Sequence, residues 1–117
     1  MKQTLIGHHC FGMAVVALAI VASTASVRAE DATTVSITLK DHRFQPAEPH
    51  APANKPITII VKNLDAAPAE FESNMLRVEK VVTPGNTISM QIRPLAPGRY
   101  RFFDDFHQET QGYLVVQ

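Results

Sequence analysis

Two short runs hold most of the side chains able to do chemistry. In Glu70-Phe71-Glu72, extended backbone would send both carboxylates to one side and the ring to the other. Neighbouring anions repel unless a cation or basic group lies between them. The competing reading is a solvated loop edge with Phe71 tucked into the core. In Asp104-Asp105-Phe106-His107, three potential ligands fall within four residues, and oxygen with imidazole suits iron, zinc, manganese and copper(II). As plain structure, Asp104 would cap a turn and His107 would be a surface histidine. The candidate metal ligands are therefore Glu70, Glu72, Asp104 and His107, with His42, Met75 and Asp105 as second choices. A thioether such as that of Met75 suits copper, although methionine more often fills gaps in a core. His50, Glu79 and Glu109 read as outer or surface groups.

Other chemistries find little support. No nucleophile elbow, phosphate loop or Ser-His-Asp order occurs, so the remaining enzyme option is redox chemistry at a bound metal. Cys10 is the single cysteine. Beyond it the chain has no disulfide, no thiolate ligand and no thiol nucleophile, and must hold itself by its core or by binding something.

Elements able to position these groups follow from the alternation of apolar residues. Val35, Ile37 and Leu39 alternate with Ser36, Thr38 and Lys40, and Ile88, Met90 and Ile92 interleave with Ser89, Gln91 and Arg93, which predicts half-buried strands. Further strands are predicted around Ile57–Val61, Arg99–Phe103 and Tyr113–Val116. Pro52 to Pro56, Pro84-Gly85-Asn86 and Pro94 to Gly98 read as turns. No helical spacing of apolar residues survives beyond residue 29, so the fold expected is all-β, a small Greek-key sandwich. Leu64 to Val82 is expected to be a long loop, and such loops are more often functional than idle. His42 is placed where the first strand ends.

Residues 1–29 follow the grammar of a secretory signal peptide: Lys2, an apolar run from Phe11 to Ala22, and small residues ending at Ala29. The run is too short for a spanning helix. Cleavage is expected after Ala29, with Ala25 as the alternative, leaving one domain over residues 30–117 with no membrane span. Loss of Lys2 and Arg28 reduces the basic residues from 11 to 9 against 11 acidic ones, which disfavours nucleic acid as a partner.

Val61 to Asp65, Tyr100 to Phe103, His107 and Gly112 to Val116 together resemble the cupredoxin scaffold. In its blue-copper members the last loop reads Cys-x-x-His; here Asp104 takes the cysteine place and His107 the histidine place. Lys40 to Phe44, Pro68 to Ser73, Pro94 to Tyr100 and Phe102 to His107 look like the EfeO-type cupredoxin-like proteins of bacterial ferrous-iron uptake. That resemblance implies a periplasmic protein that binds iron or copper, assists Fe²⁺ oxidation or transfer, and works with iron-uptake components and an iron permease. It implies no type 1 blue-copper centre, because that centre depends on a copper–thiolate bond. Two other readings stand beside it: a metal-free periplasmic interaction module, and a copper carrier unrelated to iron.

Overall fold

The computed structural model describes residues 3–4, 7, 12, 14–24 and 32–117. Both expected cleavage positions, Ala25 and Ala29, lie outside the described residues, as do Lys2, Cys10 and Arg28. Residues 14–24 carry no regular secondary structure and are exposed. Among the described residues, no helix is long and apolar enough to cross a membrane.

Alternation becomes strand wherever it was expected. β1 (Thr33–Lys40), β4 (Ile57–Asn63) and β7 (Thr87–Ile92) lie side by side, and β2 (Arg43–Gln45) borders β1. This four-stranded sheet has the order β2-β1-β4-β7. β1 and β4 run parallel, which needs a crossover between them, whereas β4 and β7 are antiparallel. Its inner face is made by Val35, Ile37 and Leu39 of β1, Ile57, Ile59 and Val61 of β4, and Met90 and Ile92 of β7, all buried. Burial of one such aliphatic side chain contributes roughly 1.5–3 kcal/mol, so this face makes a large contribution to holding the domain together.

The second sheet adds β3 (His50–Ala51), β5 (Ala69–Ser73), β6 (Val78–Val82), β8 (Gly98–Asp104) and β9 (His107–Val116) in the order β3-β9-β8-β5-β6. Leu64 to Val82 is thus not a long loop, because it contains β5 and β6, joined by a short turn. The pattern was present at short range: Ala69, Phe71 and Ser73 are buried while Glu70 and Glu72 between them face outward. Carboxylates at the alternate positions hid a strand whose inward residues include one alanine and one serine. Likewise Asp104 ends β8 and His107 begins β9, so only Asp105 and Phe106 form the connection.

Phe44, Phe71 and Phe102 seal the core beneath this end. Phe71 stacks on Phe102 with ring centroids 5.1 Å apart, and Phe44 meets Phe102 edge-on at 5.1 Å. Gly112 pairs with Phe102 across the β8–β9 ladder. A Cβ there would sit 2.5 Å from both the Phe102 ring and the carbonyl oxygen of Ala47, so only glycine lets the aromatic cluster close.

Candidate metal centre

Glu70 and Glu72 stand on the outer face of the five-stranded sheet because they alternate with the buried residues of β5. Glu79 on β6 lies directly opposite Glu72. Asp105 reaches the same patch from the β8–β9 turn, where its backbone N–H donates to the Glu70 carbonyl at 2.9 Å. Glu70, Glu72 and Asp105 each offer a carboxylate oxygen, all within 4.8 Å of one another, and all three residues are half-buried.

Crowding of like charge is visible in the acid strengths. The Glu70 carboxyl is pushed up to about 7, first by a hydrogen bond shared with the Glu79 carboxyl, then by burial and by the charges of Glu79, Asp105 and Glu72. Glu72 is also held above the usual carboxylate range, by burial first and then by the charges of Asp105 and Glu79. Such a set has hard oxygen donors and unrelieved repulsion, which a divalent cation would remove.

Asp104 does a different job. It is 1% exposed. Its Oδ1 accepts the backbone N–H groups of Glu70 and Phe106, each at 3.0 Å, and its Oδ2 lies 3.2 Å from Nδ1 of His107. That carboxylate bridges β5 to the β8–β9 turn and has little capacity left for an ion. His107 turns toward His42, with ring centroids 4.4 Å apart and a 45° tilt. The structure therefore separates the six oxygen and nitrogen candidates into a carboxylate patch (Glu70, Glu72, Asp105) and an imidazole pair (His42, His107), with Asp104 between them. Met75 belongs to neither: it is 50% exposed in the β5–β6 turn, while Leu76 fills the core beside it.

Two supporting residues had no local signal. Asp65 accepts from the backbone N–H groups of Asp41 at 2.6 Å and His42 at 3.0 Å. The His42 N–H is the main reason its carboxyl is held below the usual range, with the charges of His42 and His107 adding to it. Asn63 is fully buried, donates to the carbonyls of Ala67 and Val82, and accepts from the Asp65 N–H at 2.9 Å. It shapes the β4–β5 connection that carries Asp65. Their partners lie far away in sequence or on the backbone, so residue type and spacing do not announce them.

Residues 11–116 match the family described as the cupredoxin-like domain. The chain belongs to that family. A curated relative, an uncharacterized protein of Rickettsia prowazekii (strain Madrid E), is 45% identical over 83 residues, which cover 70% of this chain and 66% of that protein. The chain thus spans just under two thirds of that relative's length. Among solved structures, the metal binding domain of the Cu(I) exporting P-type ATPase CopA of Streptococcus pneumoniae D39, determined with Cu(I), superposes with a TM-score of 0.66. It shares 13% identity, over 78% of this chain and 99% of that one. Auracyanin A, a blue copper protein of Chloroflexus aurantiacus, gives 0.62 at 16% identity, covering 74% and 100% of the two chains. A purple cupredoxin of Nitrosopumilus maritimus gives 0.56 at 15% identity, covering 73% and 99%. At these identities the likeness is one of fold. It agrees with the Greek-key sandwich expected from the sequence.

A blue-copper centre does not fit the donors of this cupredoxin-like domain. Residues 32–117 contain no cysteine, and the position that resembles the thiolate place holds Asp104, buried and already hydrogen-bonded through both oxygens. Oxygen and imidazole donors remain, and they suit harder or borderline ions.

Proposed function

We propose that this cupredoxin-like protein is a periplasmic metal-binding component of ferrous-iron uptake, receiving Fe²⁺ on Glu70, Glu72 and Asp105 and passing it toward an iron permease. The observation that carries the reading is the convergence of three carboxylate oxygens within 4.8 Å from two separate elements, a strand and a turn. A half-buried set of hard anionic donors prefers a hard or borderline divalent ion over a soft one. Open coordination positions on the outer face of a sheet allow the ion to leave again, as a transfer protein requires. The leader-like residues 1–29 and the resemblance to EfeO-type proteins support export and an iron-uptake partner.

Anaerobic calorimetric titration of the wild type, Glu72→Gln and Asp105→Asn with Fe²⁺ tests the site. One equivalent bound by the wild type and at least tenfold weaker binding in both variants is the expected result. Equal affinity in all three proteins would move the ion elsewhere and end the reading.

A further inference from the structure

Beside the carboxylate patch, the β5–β6 hairpin forms a cleft of about 280 Å³. Its lining comes from Glu72 and Ser73 of β5, Asn74 and Arg77 of the turn, and Val78 and Glu79 of β6. The turn is braced from two directions. Ser73 Oγ donates to the Arg101 carbonyl at 2.6 Å and accepts the Leu76 N–H at 3.1 Å. The Arg93 guanidinium donates to the carbonyls of Met75 and Leu76, at 3.2 and 3.3 Å. These bonds fix the wall of the cleft that carries Arg77.

The lining holds both signs of charge. Glu72, which is also one of the three clustered carboxylates, and Glu79 share the cleft with Arg77. The ion pairs among the described residues are Arg99–Glu48 and His107–Asp104, so Arg77 closes on neither glutamate. A guanidinium next to a cation site repels a bare ion. It helps instead when the ion arrives with an organic anion, because guanidinium holds a carboxylate through two parallel N–H···O bonds. Ligand positions are open for such an anion: Glu70, Glu72 and Asp105 offer one oxygen each, fewer than the roughly six a hard divalent ion favours. We infer that the cleft is a subsite for a chelator, and that the patch receives its ion as a complex with a small di- or tricarboxylate. The metal then sits on Glu70, Glu72 and Asp105, and a carboxylate of the chelator on Arg77. This rests on the metal-binding reading above and adds the form in which the ion is carried.

Calorimetric titration with Mn²⁺ alone, Mn²⁺ with one equivalent of citrate, and citrate alone, on the wild type, Arg77→Asn and Glu72→Gln, tests it. Mn²⁺ is a hard ion that reads carboxylates. Asparagine tolerates the left-handed backbone of residue 77, at φ 57°, and thermal melts establish that each variant folds. A citrate that merely competes for the ion weakens binding. The wild type is expected instead to bind Mn²⁺ about three- to fivefold more tightly with citrate, the size of a well-formed exposed ion pair. Arg77→Asn should lose that gain and bind Mn²⁺ alone at least as tightly as the wild type. Glu72→Gln should bind both forms weakly, and citrate alone should not bind. A wild type that takes up Mn²⁺ but gains nothing from citrate would overturn the inference and leave the patch as a metal site. A gain that persists in Arg77→Asn, or citrate binding equally well without the ion, would do the same. A wild type that takes up neither Mn²⁺ nor its citrate complex would end the patch reading and this inference with it.

Discussion

The carboxylate patch and the imidazole corner lie on either side of Asp104, yet they are built in opposite ways. Ladder register places the patch: β5 alternation turns Glu70 and Glu72 outward, and β6 pairing sets Glu79 against Glu72. Side-chain bonds to distant backbone place the corner: Asp65 reaches back 24 and 23 residues to Asp41 and His42, and Thr110 reaches 68 to His42. A site carried by a sheet inherits its geometry from many backbone bonds. A site carried by turns depends on a few named residues, and single substitutions should dismantle it.

The largest effect is expected where the two regions join. Asp104→Ala removes the acceptor for two backbone N–H groups and the partner of His107 in a position that is 1% exposed. An unpaired donor away from water costs about 1–3 kcal/mol; these two bonds are part-buried, so chemical denaturation should report a loss of roughly 1–4 kcal/mol. Asp104→Asn keeps one acceptor oxygen and should recover part of it. If Asp104→Ala unfolds at the wild-type midpoint, Asp104 is not the bridge between the regions.

How much of this was readable depended on the distance over which each signal acts. Alternation in β1 and β7 is local, so Val35 to Leu39 and Ile88 to Ile92 declared themselves, and with them the all-β class. β5 was obscured because its inward positions include Ala69 and Ser73, weak apolar markers, while its outward ones are glutamates. Glu70 and Glu72 were legible as a pair because two-residue spacing is enough to put them on one face. Choosing Asp105 over Asp104 as their companion was not legible: the two are adjacent and chemically identical, and only the irregularity between Phe103 and Asp104 decides which turns inward. His42 and His107 were legible as ligand types, whereas their meeting depends on a chain reversal that no spacing encodes.

Metal-induced stabilisation separates the regions next. An ion that binds only the folded state stabilises it by about 2.7 kcal/mol at a hundredfold excess over Kd, several degrees in the melting temperature of so small a domain. Mn²⁺ should raise the wild type and His42→Asn alike and leave Glu72→Gln almost unmoved. Equal shifts in all three would erase the distinction between patch and corner.

A smaller effect is expected from Asp65→Ala. It frees the N–H groups of Asp41 and His42, but these bonds are exposed to solvent, so water takes over much of the loss and about 1 kcal/mol is expected. The diagnostic readout is the ring of His107: its NMR line positions should change as His42 leaves its left-handed conformation, while the amide signals of Glu70 and Glu72 stay in place. Movement of both sets together would mean that the corner and the patch form one cooperative unit.

The finest comparison uses protons in place of metals. Glu70 has a folded-state pKa of about 7 against 4.5 for the free side chain, owing first to the bond it shares with Glu79. Between these values the folded chain holds a proton that the unfolded chain has released, so the Glu70 contribution falls as pH rises from about 4.5 through about 7 and is level above that. Asp65 has the opposite sign, because its carboxyl is held below 3.8 when folded; its contribution is present above that value and is lost only as pH falls further. Removing the titrating group at the patch should therefore flatten the stability profile between pH 5 and 7.5, while removing Asp65 should lower this range evenly without changing its slope, because the Asp65 contribution is constant there. The measurement is the melting temperature of the metal-free protein across this range for the wild type, Glu70→Gln and Asp65→Ala. Glutamine keeps a donor for Glu79 and cannot ionise, so Glu70→Gln should be the most nearly level of the three. Saturating Mn²⁺ at pH 7.5 should raise the wild type toward its pH 5 value, since the cation relieves the same repulsion as the proton. A slope unchanged in Glu70→Gln would mean that the carboxylates do not crowd one another and that the patch has no electrostatic reason to take up an ion.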